Sequence, residues 1–354
     1  MGNVVASLVG ARAATTMRII MMKKEYRDMF LKTLDKLDVF HQEIPKLPSG
    51  KYAHIVMLRE TNSFALFQTD GELNICRVSL GRKEQLAGTR IVLFKRKQST
   101  PERLTGRELL RRYGLVEECK YNTDKFCKRC PDCIYYGFAI GDSGSERSKV
   151  LVDSAFSITG YDMSHQQFTF NAPSENGTMS EDGKMKTALG EQDYVLPQVY
   201  FPSVVTIKDP TEAEFIYVMN NIMRTKRYGA QNTRTGTVEN HIVGVVFADG
   251  EVFSNLQLTQ AVYDVLTKEQ LAKTPLPQAV VLEAMEGVVP ALLREDSLVT
   301  QHYAGEQLQA VLQEIVQITS EEARLMAVLK QANEEANRYA QVHGVGMKEA
   351  KAKK

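Results

Sequence analysis

The segment DPTEAEFIYVMNNIMRTKRYGAQNTRTGTVENHIVGVVF, residues 209–247, combines a predicted helix, a basic loop and a predicted strand. Asp209 is expected to cap the helix, with Pro210 at its first position and the acidic Glu212 three residues after the cap. Apolar side chains then recur at the spacing of one helical face, at Phe215, Val218, Met219 and Ile222. The helix is expected to stop near Gly229, and the β-prone run His241–Phe247 predicts a strand.

Outward from this segment, strand-like and helix-like runs alternate. Apolar or β-prone runs predict strands at Tyr52–Leu58, Phe64–Gln68, Arg90–Phe94, Cys133–Phe138 and Lys149–Phe156. Thr100-Pro101 predicts the start of a helix running to about Tyr113, because Thr caps helices and Pro is favoured at their first position. The core order strand, helix, strand, strand, helix, strand predicts an α+β fold with a ferredoxin-like, RRM-like core.

The remaining sequence divides into three further regions. Residues 1–45 form an N-terminal region with an amphipathic helix predicted over roughly 22–40, and residues 251–354 are predicted to be largely helical. The core is expected over 46–250, interrupted by the cysteine-containing stretch 119–133 and by a long insertion at 157–205. The second insertion is predicted because residues 160–200 are polar and rich in turn signals.

Composition sets the class of protein. The chain has 354 residues, 43% of them hydrophobic and 25% charged, which is ordinary globular usage and excludes a disordered, collagen-like or disulfide-stapled protein. No apolar run is long enough to span a bilayer and no secretory signal is present, so we expect a cytoplasmic protein without a membrane partner. The net charge of +1 hides a segregation, since basic residues concentrate in 77–112 and 224–236 while acidic residues dominate 249–340.

Four of the five cysteines, Cys119, Cys127, Cys130 and Cys133, occur within fifteen residues. Two Cys-x2-Cys steps with one upstream cysteine are typical of a structural zinc (Zn2+) site, where four thiolates close on one ion and leave no open position for catalysis. An iron–sulfur cluster is disfavoured because its run requires a fourth cysteine where Gly137 stands, and free thiols in a turn are the remaining alternative.

The basic stretches predict contacts with a nucleic-acid backbone. Glycines allow close approach of main-chain N–H groups to phosphates, arginines clamp phosphates, and a tyrosine stacks on bases. A helix C-terminus also attracts cations, which explains Arg224 and Lys226 without a ligand but does not explain Arg234. The predicted binding residues are Lys95, Arg96, Lys97, Arg103, Arg107, Arg147, Lys149, Arg224, Lys226, Arg227, Tyr228, Gly229, Arg234 and Gly236.

The sequence contains no convincing catalytic arrangement. Residues 141–145, GDSGS, echo the nucleophile loop of trypsin-like proteases, but Ser145 stands where a nucleophile elbow requires glycine, and no carboxylate pair is evident. The protein is therefore not expected to be an enzyme.

Five blocks of sequence resemble a known family. They are FKRKQSTPERLTGRELLR (94–111), CKRCPDC (127–133), YGFAIGDSGSERSKVLVDSAF (136–156), FTFNAP (168–173) and TKRYGAQNTRTGTVENHIVGVVFADG (225–250). Over about residues 45 to 260 the chain closely resembles the backbone subunit of subtype I-D CRISPR interference complexes (Cascade), of the repeat-associated mysterious protein (RAMP) superfamily.

The resemblance implies a ferredoxin-like core, a zinc-containing insertion and a projecting thumb. It also implies that several copies line one guide CRISPR RNA, assemble with other subunits of the complex, and present the guide to a target DNA or RNA strand. Related backbone subunits cut target strands, so target cleavage by the same subunit is the first alternative. A free-standing RNA-binding protein is the second.

Overall fold

The computed structural model describes residues 30–34, 38–83, 86–123, 125–141, 144–170, 173–174, 177–178, 180–181, 184–185 and 190–345. The helix predicted over 22–40 lies mostly outside these residues, and its described part contains a 3-10 turn at Lys32–Leu34. The basic C-terminal tail also lies outside them.

The strands and helices follow in chain order. The strands of the described residues are β1 (Tyr52–Thr61), β2 (Gln68–Thr69), β3 (Glu72–Leu73), β4 (Ile75–Ser79), β5 (Ala87–Leu93), β6 (Phe138–Ala139), β7 (Ser145–Glu146), β8 (Val150–Val152), β9 (Ala155–Phe156), β10 (His165–Phe170), β11 (Pro173–Ser174), β12 (Gly177–Thr178), β13 (Ser180–Glu181), β14 (Lys184–Met185), β15 (Gly190–Val195), β16 (Tyr200–Lys208), β17 (Val238–Ala248) and β18 (Thr300–Tyr303). The helices are α1 (Lys95–Arg112), α2 (Pro131–Tyr135), α3 (Glu212–Arg224), α4 (Asn255–Val265), α5 (Lys268–Ala272), α6 (Gln278–Glu295), α7 (Gly305–Ser320) and α8 (Glu322–Val342).

A five-stranded antiparallel sheet in the order β18-β17-β1-β16-β8 forms the centre of the molecule. Ile55 in the middle of β1 lies opposite Val205 of β16 on one side and Val245 of β17 on the other. The predicted strand at His241–Phe247 is confirmed as part of β17. The edge strand β18 was not predicted.

The order of the core elements is the predicted one, but two of its strands were assigned to the wrong residues. The core runs β1, α1, β8, β16, α3, β17. The strand predicted at Cys133–Phe138 is wrong, because Pro131 starts the short helix α2 there. The strand predicted at Lys149–Phe156 is broken into β8 and β9.

Both faces of the sheet are buried, which explains why β1 reads as a continuous apolar run. Ala53, Ile55 and Met57 point into one core cluster with α3, α7 and α8. Val56 and Leu58 point into a second cluster with α4 and α6. Alternate residues of a strand face opposite sides, so helices on both sides require apolar residues at every position.

The two core helices begin at residues other than those predicted. Helix α1 starts at Lys95, so Thr100 is not its cap and Pro101 lies inside it. In α3 the cap is Thr211, whose hydroxyl accepts the N–H of Glu214, whereas Asp209 accepts the N–H of Lys51. The predicted apolar face of α3 is confirmed, and the helix ends at Arg224, ahead of Gly229.

Strands β10 and β15 pair with each other and lie between β9 and β16 in the chain, and we call this pair the hairpin. Its base is joined to residues 64–66 by the paired main-chain hydrogen bonds of Ala65 and Val195. The predicted insertion at 157–205 extends too far, because residues from Tyr200 onward form the core strand β16. The turn-rich sequence before it and Pro202 within it concealed this strand.

Candidate metal centre and nucleic-acid interface

The four predicted cysteines come together in space. Their sulfur atoms all lie within 4.8 Å of one another. The sulfur of Cys119 is 3.5 Å from that of Cys133 and 3.9 Å from that of Cys130. Zinc–sulfur bonds of about 2.3 Å in a tetrahedron place sulfurs roughly 3.8 Å apart, so this donor set fits a metal ion of that size.

Local backbone structure arranges the cysteines. The turn between Cys127 and Cys130 contains Lys128 with a φ of 66°, and α2 then begins immediately after Cys130. The main-chain N–H of Cys127 donates to the sulfur of Cys119 at 3.3 Å. Hydrogen bonds from the other three cysteine side chains lower the pKa of the Cys119 thiol far below its ordinary value. The Cys119 sulfur therefore favours the thiolate, the form that binds metal, whereas hydrogen bonds with the other cysteines together with burial raise the pKa values of the Cys130 and Cys133 thiols.

Two arginines that were predicted to bind RNA instead contact residues of the cysteine cluster and the buried Asp132 beside it. Arg103 Nε and Arg107 Nε each donate to the buried carboxylate of Asp132, at 2.9 Å and 2.7 Å. Arg107 also donates to the carbonyl and the sulfur of Cys119, at 2.9 Å and 3.3 Å. Arg107 is only 3% exposed, so the structure contradicts its predicted contact with RNA, and Arg103 is likewise held by Asp132.

Sequence reasoning missed this arrangement. Arg107, which contacts the sulfur of Cys119, lies on α1, twelve residues earlier in the chain. The missed signal was the acidic residue inside CKRCPDC, because a carboxylate between two metal ligands requires a cationic partner when it is buried.

Tyr228 anchors the basic loop, residues 225–237, and does not stack on a base. Its side chain is fully buried, and its hydroxyl donates to Glu102 Oε1 at 3.0 Å. Arg59 donates to the same carboxylate oxygen at 2.9 Å and lies over the Tyr228 ring. Asn240 completes the network by donating to the Tyr228 hydroxyl. The predicted role of Tyr228 in base stacking is therefore wrong.

The two predicted loop glycines allow close packing against residues 64–66. A Cβ on Gly229, where φ is 96°, would lie 2.3 Å from the main-chain oxygen of Leu66. A Cβ on Gly236 would lie 2.5 Å from the main-chain oxygen of Phe64, which accepts the Gly236 N–H. The Gly236 N–H is thus used within the protein, contrary to the prediction that it faces a phosphate.

Pro101 leaves one carbonyl of α1 available for a hydrogen bond with the basic loop. Because proline has no N–H, it leaves the carbonyl of Lys97, four residues earlier, without its helical partner. That carbonyl instead accepts the N–H of Gly229 at 3.4 Å. The basic loop is therefore adjacent to the first turn of α1.

Six of the predicted cations lie on these two adjacent elements and are exposed or partly exposed. They are Lys95 and Arg96 in the first turn of α1, with Lys97 partly exposed, and Lys226, Arg227 and Arg234 in the loop. We call these six residues the basic face. Arg227 donates to the carbonyl of Thr235, which fixes the direction of its guanidinium.

The other predicted cations outside the metal site are Arg224, Lys149 and Arg147. Arg224, the last residue of α3, is exposed and donates to Asn220 and to the carbonyl of Thr319, so it links α3 to α7. Lys149 donates to the carbonyl of Asp209 and lies 3.6 Å from Glu214, and the exposed Arg147 lies two residues earlier.

The architecture is that of a solved CRISPR protein. The chain of "Crystal structure of Thermofilum pendens Csc2" matches with a TM-score of 0.58 at 14% identity, covering 88% of this chain and 98% of that one. The family model described as Csc2 CRISPR matches residues 39–329, and the protein therefore belongs to the Csc2 CRISPR family.

Two further solved structures share less of the chain. "CRISPR RNA-guided surveillance complex" has a TM-score of 0.45 at 12% identity, with 72% of this chain and 89% of that chain covered. "CRISPR RNA-guided surveillance complex, pre-nicking" has a TM-score of 0.42 at 11% identity, with coverages of 70% and 87%. A search of curated proteins returns no match. Within the described residues, no helix has the length and apolar character needed to cross a membrane.

Proposed function

We propose that this protein is the guide-RNA-binding backbone subunit of a subtype I-D CRISPR interference complex, and that it acts in the cytoplasm as a binding subunit and not as an enzyme. Membership of the Csc2 CRISPR family directs the proposal to CRISPR interference. The observation that carries the RNA-binding role is the basic face, whose two elements are joined by the hydrogen bond between Gly229 and Lys97.

The first turn of α1 gives this face a physical reason to bind phosphate. A helix N-terminus carries partial positive charge and is normally stabilised by acidic residues or a capping side chain. Here the first turn has no acidic residue and no side-chain cap, and it holds Lys95, Arg96 and Lys97 instead. Adding cations to a positive helix end is unfavourable unless an anion is bound there, and a phosphate backbone supplies that anion.

The core topology supports the same assignment. The strand order β17-β1-β16-β8, with α1 and α3 as the two connecting helices, is the order expected of a ferredoxin-like, RRM-like fold and supports the proposed RAMP-type core. The cysteine cluster would hold a structural zinc ion, which adds no catalytic chemistry because all four positions are filled by thiolates. Asp132 and Arg107 would orient and neutralise that site.

The hairpin of β10 and β15 is the thumb in this proposal. Several copies of the subunit would line one guide RNA, with the hairpin of each copy reaching towards the next and separating groups of bases for pairing with a target strand. A head-to-tail contact between identical subunits does not close on itself and builds an open filament.

The test is electron microscopy of the purified protein mixed with long single-stranded RNA, together with sizing of RNA that co-purifies from a host expressing a CRISPR array. We expect cooperative filaments and co-purified RNA of one repeat-derived length. Deleting residues 169–189 should leave the monomer folded but disturb the regular spacing. Isolated particles at every protein-to-RNA ratio would refute the backbone role, and filaments of unchanged regularity after the deletion would refute the role of the hairpin.

A further inference from the structure

Two phenylalanine rings are exposed in the part of the chain that the structure describes. Among the described residues, the large hydrophobic side chains classed as exposed include two aromatic ones, Phe64 at 37% and Phe94 at 38%. Leaving a phenylalanine ring in water forgoes the favourable burial of its apolar surface, so each of these rings offers apolar surface to a partner.

Both rings adjoin the basic face. The carbonyl of Phe64 accepts the N–H of Gly236, at the end of the basic loop. Phe94 is the N-cap residue of α1 and immediately precedes Lys95 and Arg96. Phe64 thus adjoins the loop part of the basic face, and Phe94 adjoins its helical part.

The position of Phe64 is fixed by the fold. Its ring packs edge-on against Phe168 of β10 at 5.0 Å and lies 6.3 Å from Tyr194 of β15, at the base of the hairpin. The main chain that follows it is held as well, because the N–H of Ala65 donates to the carbonyl of Val195 and the N–H of Leu66 donates to the hydroxyl of Thr235. A preformed ring loses little conformational freedom on binding.

We propose that Phe64 and Phe94 stack on unpaired bases of a single-stranded nucleic acid whose phosphates lie on the basic face. This inference rests on the proposed function and adds the residues that contact the bases. Alternation of rings and cations is the arrangement by which proteins hold single strands without reading their sequence, since every base has a face that can stack. A protein partner would also cover the rings, but the adjoining cations match a phosphate backbone.

The experiment compares the full chain with Phe64→Ala, Phe94→Ala, Phe64→Leu and Phe64→Trp variants. The two fluorescein-labelled probes are an oligoadenylate of 30 nucleotides and an abasic oligonucleotide of the same length and charge. We expect each alanine variant to bind oligoadenylate roughly 5- to 150-fold more weakly, the usual range for losing one stacked base. Phe64→Leu should weaken it similarly, and Phe64→Trp should bind as tightly as wild type or more tightly.

The abasic probe separates stacking from charge. The aromatic variants should bind it like wild type, with an unchanged salt dependence. Arg227→Ala should weaken binding to both probes, because it removes a phosphate contact. Leu86→Ala, an exposed apolar residue on the β4–β5 hairpin, is the matched control and should change neither.

Three results would overturn the inference. If the alanine variants bind oligoadenylate like wild type, the rings serve another partner. If they lose affinity for both probes equally, the rings only support the loop. If Phe64→Leu keeps full affinity, stacking is not involved. Failure of the wild-type protein to bind either probe would overturn the proposed function together with this inference, so the two failures are distinguishable.

Discussion

Glu214 should make the protein less stable as pH rises above 5. The side chain lies at the start of α3, is fully buried, and neither carboxylate oxygen has a hydrogen-bond partner in the structure. Burial raises its pKa to about 7, against the attraction of Lys149 and with the repulsion of Glu335, whose own pKa is raised by burial. The folded protein therefore retains a proton that the unfolded chain releases near its ordinary value of 4.5.

The sign and size of the effect follow from this difference. Between pH 4.5 and 7 the native state binds more protons than the unfolded state, so the free energy of unfolding falls as pH rises and levels off above the folded pKa. Each pKa unit corresponds to about 1.4 kcal/mol, so the loss from this group amounts to about 3 kcal/mol. Glu214→Gln removes the titration and should be more stable than wild type by up to that amount at pH 8, with little difference at pH 5.

Urea unfolding at pH 5, 6, 7 and 8 measures the effect, followed by far-UV circular dichroism because the chain has no tryptophan. The cysteine cluster titrates in both proteins and cancels in the difference. Lys149 keeps a partner in the variant, since it also donates to the carbonyl of Asp209. Glu283→Gln, an exposed carboxylate on α6, is the control and should follow wild type. Parallel curves for wild type and Glu214→Gln would refute the assignment of a buried, protonated carboxyl.

Four further outcomes are expected. The pure protein should contain about one zinc per chain and be colourless, and Cys127→Ser should lose most of the metal by elemental analysis; a brown preparation would instead indicate iron–sulfur. Arg227→Ala and Arg234→Ala should each flatten the dependence of log binding constant on log salt by about 0.7 for single-stranded RNA, and wild-type slopes in both would exclude the loop from the interface. Gly229→Ala should weaken RNA binding without removing a charge, because its Cβ would lie 2.3 Å from a main-chain oxygen at a φ of 96°, and the unfolding free energy should fall by roughly 1–3 kcal/mol. Pro101→Ala should loosen the loop, seen as faster amide exchange at Gly229, because the new helical N–H competes for the Lys97 carbonyl; unchanged exchange would contradict that account.

The sequence predicted the elements with strong local periodicity. The apolar face of α3 and the β-branched run in β17 carry their signals within one segment, and both were found. The cysteine cluster was found for the same reason, because ligand spacing is a local property. Strand β16 was missed because its pairing with β1 is a long-range property, and Pro202 together with the polar residues before it favoured a loop.

The direction of side chains was the larger source of error. Along α1, Lys95 and Arg107 look alike in sequence, but the first is exposed and the second is buried against Asp132. The burial of Tyr228 could not be predicted from its neighbours in the sequence either, because its partners Glu102 and Arg59 are distant in the chain. A run of basic residues indicates an abundance of charge, but only the packing of neighbouring elements decides which charges reach solvent.

The pairing of Asp132 with two arginines on α1 also bears on how the protein can change over evolution. The carboxylate is fully buried, so a lineage that replaced Arg107 alone would leave a charge in the interior with too few partners. Residues 103, 107 and 132 should therefore be inherited or lost as a unit, although 25 residues separate Arg107 from its acid. A lineage that discarded the cysteine cluster and Asp132 would therefore also have to replace Arg103 and Arg107, on the helix whose first turn carries Lys95 and Arg96.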